Sequence, residues 1–222
     1  MKHYQALIFD FDGTLANTLP DIAAAGNHVL TSMGLAAHDV DYYRNVVGDG
    51  QVAFIKKILR PEDCTQENIE KFSELYSTYF SAHADTLTTP FPGMVDAVQK
   101  LRAAGYKLAV LTNKNDAFAN RSARRYFGDG AFDFVRGGVK GFPLKPAPDG
   151  AFLVCEAIGV KPADCLFIGD GYHDVRTGKN AGMDTLAVSW GYRPRQELVE
   201  EQPTYLVDSV DEMLRLLLEG RA

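Results

Sequence analysis

Cysteine is scarce in this 222-residue sequence: Cys64, Cys155 and Cys165 make an odd number, with no C-x-x-C pair. That argues against a disulfide framework and for three small core residues in a reducing cytoplasm. No apolar run approaches the ~20 residues needed to span a bilayer. The N-terminus passes from Met1-Lys2-His3 directly into Ala6-Leu7-Ile8-Phe9-Asp10, without the long apolar stretch and small-residue cleavage site of a secretory signal. Long blocks of like charge, internal repeats and low-complexity tracts are also missing. The formal net charge of −6 argues against nucleic acid as the main partner, because phosphate backbones attract basic faces. The composition, 46% hydrophobic and 23% charged, is that of a globular chain able to bury a core without staples. The length accommodates one large domain or a core domain with a smaller insert.

Ala6 to Phe9 is a short apolar run ending in an acid and reads as a buried strand. Leu108 to Leu111, Phe132 to Val135, Leu166 to Ile168 and Thr185 to Val188 read the same way. Helical patterns lie between most of them. Val95, Val98 and Leu101 share a face ahead of Gly105, Asp149 is positioned to cap a helix carrying Phe152, Leu153 and Ala157, and Asp174 to Ala181 is closed by Gly182. This alternation predicts an α/β fold with a Rossmann-like, doubly wound parallel sheet. Ligands of such sheets sit beyond the carboxyl ends of the strands.

Residues 17–82 break the alternation. Thr18-x-x-Asp21 resembles a capping box with Pro20 in the first turn, and Ile22, Val29, Leu30 and Met33 make a stripe that Gly34 ends. Val52, Ile55, Ile58 and Leu59 form a second stripe. Ile69, Phe72, Leu75, Tyr76, Tyr79 and Phe80 form a third. A segment this long exceeds a plain crossover. It reads as an all-helical insert at 17–82 after the first strand, with hinges at Ala16-Asn17 and Ala82 to Pro90; the α/β core is then 1–16 and 83–222.

The first strand runs into Asp10-Phe11-Asp12-Gly13-Thr14. Asp-Gly alone is compatible with a simple turn. Gly169-Asp170-Gly171-Tyr172-His173-Asp174 repeats the theme at another strand end, and in a parallel sheet such ends are neighbours. Converging carboxylates repel unless a cation lies between them, and hard oxygen ligands suit Mg2+. Thr112-Asn113 supplies a hydroxyl and amide donors at a third strand end. Lys145, held in Pro143-Leu144-Lys145-Pro146, would alone read as a solvated lysine; beside the acids it becomes a charge partner for phosphate and for a nucleophilic aspartate. Gly178-Lys179-Asn180 is not a P-loop, since His173 stands where its first glycine belongs and Asn180 replaces Ser or Thr. The five histidines show no zinc spacing, and His173 reads as an exposed loop residue. Trp190-Gly191-Tyr192-Arg193 reads equally as a site-lining segment or a plain loop.

Taken in order, Asp10-x-Asp12-Gly-Thr14, Thr112-Asn113, Lys145-Pro146 and Gly169-Asp170 with Asp174 resemble the haloacid dehalogenase superfamily, and the insert resembles that family's helical cap. Val47-Gly48-Asp49-Gly50, Thr112-Asn113-Lys114 and Gly137-Gly138 are similar to its phosphoglycolate phosphatase branch. Gly171 departs from the serine or threonine of many relatives. The resemblance implies a phosphatase of small phosphate monoesters. Asp10 would be the nucleophile and Asp12 the general acid and base. Mg2+ would be held by Asp10, the Asp12 carbonyl and Asp170, with Asp174 orienting that shell. Thr112, Asn113 and Lys145 would neutralise the phosphoryl oxygens. Arg44, ahead of the Gly48-Asp49-Gly50 loop, is the expected partner for a substrate carboxylate such as that of 2-phosphoglycolate. Pyrophosphatase, nucleotidase and sugar phosphomutase are the alternatives within the family. A receiver-like phospho-acceptor would be shorter and lack the insert.

Overall fold

The protein is described from a computed structural model over residues 2–219. Its first strand, β1 (Ala6–Phe9), is fully buried along its length. The short β2 (Ala16–Asn17) leads into α1 (Leu19–Ser32), α2 (Gln51–Ile58) and α3 (Gln66–His83), and β3 (Thr89–Pro90) returns antiparallel to β2. The chain then alternates through α4 (Met94–Ala103), β4 (Lys107–Asn115), α5 (Asp116–Phe127), β5 (Phe134–Gly138), α6 (Asp149–Ile158), β6 (Cys165–Gly169), α7 (Tyr172–Asn180), β7 (Asp184–Val188), α8 (Arg195–Glu200), β8 (Tyr205–Val207) and α9 (Val210–Glu219).

The six long-sheet strands run parallel in the order β5-β4-β1-β6-β7-β8. β1 is central, with helices over both faces, which explains a run without polar alternation. One apolar layer, containing Leu7, Phe9, Met94, Leu101 and Leu217, packs on one face of the sheet. The other contains Ile8, Ala109, Val154, Ile158 and Phe167. The helices after β2 pack around a cluster of their own, including Leu30, Tyr43, Ile55, Phe72 and Phe80.

Several local expectations shift. Thr18 does not cap α1 through its side chain. The Tyr192 hydroxyl instead accepts from the Thr18 and Leu19 N–H groups at 2.8 and 3.0 Å. Asp21, the other half of the expected box, accepts from the backbone N–H groups of Leu87 and Thr88 at 3.0 and 2.8 Å. The reason is tertiary: two long-range partners outbid local capping. Val52 and Leu75 are exposed rather than inward, and Phe54 takes the buried position in α2. β5 begins at Phe134 rather than Phe132, and β8 is a sixth strand too short to show in the pattern.

No helix among the described residues is long and apolar enough to cross a membrane.

Candidate active site

The chemistry-bearing residues meet beyond the carboxyl end of the sheet. β1 delivers Asp10, and its two neighbours β4 and β6 deliver Thr112 and Asp170. The Asp10 N–H continues the ladder by donating to the Ile168 carbonyl at 2.8 Å. Asp10 Oδ1 accepts from the Phe11 N–H at 2.7 Å and lies 2.9 Å from Lys145 Nζ. Among the described residues Oδ2 has no hydrogen-bond partner. One oxygen of Asp10 is thus fixed and the other is left open to the cavity the residue lines.

Lys145 also reaches Asp174 Oδ1 at 2.6 Å, with both side chains 3% exposed. Burial opposes its charge, but Asp10 and Asp174 outweigh that and hold the ammonium strongly protonated. The Asp174 carboxylate also accepts from the Gly171 N–H at 3.0 Å, so α7 starts earlier than the sequence pattern placed it and presents Asp174 from its first turn.

Asp170 accepts from the Thr14 hydroxyl at 3.0 Å and the Tyr192 N–H at 2.7 Å. Glycine makes room for it. A Cβ at Gly13, whose φ is +83°, would collide with the Asp170 carboxylate, and a Cβ at Gly191 would do so from the other side. Burial, with Asp174 and Asp10 nearby, pushes the Asp170 carboxyl up to about 8. Burial likewise pushes Asp174 up to about 6, against the pull of Lys145. Carboxylate oxygens of Asp10, Asp170 and Asp174 lie within 4.8 Å of one another. One lysine does not balance three acids there, and the donor set is hard oxygen throughout, so a divalent cation fits these residues.

Asp12 lines the same cavity. Its Oδ1 is 3.0 Å from Lys114 Nζ. Thr112 is buried and accepts from the Lys114 N–H at 3.3 Å. The Asn113 side chain bridges the site walls, donating to the Gly48 and Lys145 carbonyls and accepting from the Lys145 N–H. The pairing of β4 with β5 slips between Leu111 and Asn115, and this irregularity lies where Thr112, Asn113 and Lys114 face the site.

The cavity, about 110 Å³, lies between the sheet end and the helical insert. The insert supplies a mostly apolar wall, including Ile22, Phe54, Tyr76 and Phe80. Val47, Gly48, Gly50 and Gln51 form its edge.

Two expectations need correction. Arg44 does not line the cavity. It sits in a 3₁₀ turn, Val40–Asn45, where its Nε pairs with Asp41 at 3.2 Å. Tyr43 takes the inward direction of that turn and is fully buried, and with about 120° per residue its neighbour points elsewhere. His173 is not exposed: it is buried in α7 and donates from Nε2 to Asp49. Burial lowers its pKa despite Asp49.

Asp49, Lys114 and Arg193 stand in segments that the sequence marks, but none of the three side chains was assigned a role from the sequence. Lys114 directly follows the Thr112-Asn113 pair, which was a usable signal; the slip in strand pairing where it lies was not visible. Trp190 and Tyr192 settle the reading of their segment as site-lining, since Trp190 Nε1 donates to the Thr14 carbonyl at 3.1 Å while Tyr192 holds Asp170.

A parallel sheet with an acid-rich switch point under a helical insert defines a hydrolase of the Asp-x-Asp type. The haloacid dehalogenase-like hydrolase family matches residues 7–188, and the chain belongs to it. The chain is 34% identical to the phosphoglycolate phosphatase of Psychrobacter arcticus, over 97% of this chain and 96% of that one. It is 30% identical to phosphoglycolate phosphatase 1 of Pseudomonas aeruginosa, over 94% and 78% respectively. A solved structure from Lactobacillus delbrueckii subsp. bulgaricus superposes with a TM-score of 0.90 at 31% identity, covering 98% of this chain and 99% of that one. Within the family the chain is a phosphatase-type hydrolase, similar to the phosphoglycolate phosphatases.

Proposed function

We propose that the protein hydrolyses a small phosphate monoester, 2-phosphoglycolate, in the presence of magnesium and through a phosphorylated Asp10. The observation that carries this is the Asp10 carboxylate: Phe11 and Lys145 hold Oδ1, while Oδ2 is open to a cavity that Asp12 also lines. Asp10 Oδ2 attacks phosphorus, the ester P–O bond breaks, and an acyl phosphate forms. Asp12 gives its proton to the departing alkoxide, then takes a proton from the water that attacks the acyl phosphate, releasing phosphate and restoring Asp10. Lys145 pairs with Asp10 Oδ1 and, with Thr112 and Asn113, offsets charge on the phosphoryl oxygens. Asp10, the Asp12 carbonyl and Asp170 would hold the magnesium ion, which supplies charge neutralisation for the phosphoryl group when bound. Asp174 orients this set through Lys145 and the Gly171 N–H.

Residues 17–82 act as a cap on a core of 1–16 and 83–222, hinged where β2 pairs with β3. Closing such a cap excludes water and selects the leaving group. The similarity to named phosphoglycolate phosphatases and the small chamber support the substrate. The test is phosphate release from a panel of small esters, nucleotides, pyrophosphate and sugar phosphates with magnesium. The proposal expects 2-phosphoglycolate to lead; a leading nucleotide or pyrophosphate, or isomerisation of a sugar phosphate, would replace it.

A further inference from the structure

Lys114 is a buried cation to which the mechanism above gives no role. Its side chain is 6% exposed. Its ammonium faces Asp12 at 3.0 Å and stands 5.1 Å from the centroid of the Phe80 ring and 6.0 Å from that of Phe11. Burying an ammonium is costly unless it is paired and hydrogen-bonded. Lysine carries three N–H donors, and among the described residues Asp12 is the only acceptor at this one. Lys145 differs: it bridges Asp10 and Asp174 on the nucleophile's side of the site. Phe80 belongs to α3, so Lys114 reaches from the core to the wall of the insert.

Asp12 fixes where the leaving group lies. An acid that protonates the ester oxygen is within hydrogen-bond reach of it, so whatever that oxygen carries extends from Asp12 into the chamber. In a two-carbon ester the carboxylate oxygens are three bonds from the ester oxygen, about 3–4 Å away at ordinary bond lengths. The Lys114 ammonium is within that reach. Around it the wall is apolar, with Phe54, Tyr76, Phe80 and Phe118 lining the cavity. An anion entering such a chamber needs a fixed cation. Arg193 also lines the cavity, but its guanidinium donates to the Val47 carbonyl at 2.8 Å and lies 5.8 Å from the Tyr172 ring, tying down the cavity edge. Resting on the phosphatase reading above, we propose that Lys114 is the specificity-determining residue: it pairs with Asp12 and offers its remaining N–H groups to a carboxylate on the leaving group.

The experiment compares kcat/KM for 2-phosphoglycolate and for ethyl phosphate, which has the same two carbons and no carboxylate. Lys114→Met lowers the preference for 2-phosphoglycolate about 10–100-fold, the worth of one charged hydrogen bond, mainly through KM. Lys114→Arg restores a large part of it. In the wild-type enzyme, phosphoethanolamine, with an ammonium in place of the carboxylate, is a poorer substrate than ethyl phosphate; this arm needs no variant to fold. Equal losses on both esters in Lys114→Met would reduce Lys114 to a support for Asp12 and overturn the assignment, as would an unchanged preference. A wild-type enzyme with no preference for 2-phosphoglycolate over ethyl phosphate overturns the substrate reading itself. A wild-type preference that survives Lys114→Met overturns the role of Lys114 alone.

Discussion

His173 donates from its imidazole Nε2 to the carboxylate of Asp49, joining the helix that carries Asp174 to the loop that enters α2. Burial by itself would raise the Asp49 carboxyl, but hydrogen bonds from Lys57 and His173 outweigh it and bring it down to about 2. Tyr172 adds a third hydrogen bond at 3.0 Å. Nearby, Arg193 donates to the Val47 carbonyl and Asn113 to the Gly48 carbonyl. The loop from Val47 to Gly50 is therefore fastened to the core at several points around the cavity edge.

Asp49→Ala removes the acceptor at the centre of this fastening. The expected outcome is a fall in kcat/KM of about 10-fold, the scale of one charge-assisted hydrogen bond, carried chiefly by KM. Thermal stability should fall modestly, because His173, Lys57 and Tyr172 lose their acceptor, while the cluster around Tyr43, Ile55 and Phe72 is untouched. Steady-state kinetics beside a melting curve checks both. An unchanged KM would show that the loop stays closed without Asp49.

The fastening also marks where the sequence stopped being legible. Asp10, Asp12 and Asp170 were readable because each sits just after a strand end, and the parallel sheet brings such ends together; Thr112 within β4, Asp174 in the first turn of α7 and Lys145 in its proline-flanked loop were readable from the order of the motifs. Asp49, Arg193 and Lys114 stand in segments that the sequence marks, but their individual roles were not readable. Asp49 finds His173 across 124 positions of sequence, and no periodicity encodes that approach. Lys114 lies where the pairing of β4 with β5 slips, a feature that leaves no compositional trace. Arg44 misled for the converse reason: charge and proximity in sequence pointed to the site, but Tyr43 had the stronger claim to the buried direction.

Asp10→Asn should cut turnover on the order of 10⁴-fold or more, since the amide keeps the shape but lacks the anionic nucleophile. Lys145 would then lose one of its two carboxylate partners and keep Asp174. Phosphate release, with mass spectrometry for the phosphorylated chain in the wild type, checks it. Near-normal turnover in a homogeneous Asp10→Asn sample would end the proposed mechanism.

Asp21→Ala tests the hinge rather than the chemistry. Asp21 is 5% exposed and accepts from the Leu87 and Thr88 N–H groups and from the Thr88 hydroxyl at 2.6 Å. These contacts tie the first turn of α1 to the segment that returns from α3. Leaving two backbone donors without an acceptor should cost about 2–4 kcal/mol. At 2–4 °C per kcal/mol for a chain of this size, Tm should fall by about 4–16 °C. A loss below 1 kcal/mol in chemical denaturation would mean that water replaces the carboxylate.

Magnesium and pH should act on stability through Asp170. Its carboxyl is raised to about 8 by burial and by Asp174 and Asp10, whereas an unfolded aspartate titrates near 3.9. Between those values the folded metal-free protein holds a proton that the unfolded chain has released. Its stability is therefore fully present below about pH 4 and lost as pH rises through 8. Asp174, raised to about 6, adds to the slope in the lower part of the window. Asp49, lowered to about 2, contributes in the opposite sense, but its stability is lost only as pH falls toward 2, outside this range. From pH 6 to pH 8 in chelator, the metal-free protein should lose on the order of 2 kcal/mol, read as a Tm lower by about 4–8 °C. Magnesium favours the ionised carboxylate, so its stabilisation should grow across the same interval and flatten the slope. Asp170→Asn cannot ionise: its Tm should fall much less from pH 6 to 8 than that of the wild type, and respond weakly to magnesium. The same downward slope in Asp170→Asn as in the wild type would assign the titration elsewhere, and an equal magnesium response in both would remove Asp170 from the cation site.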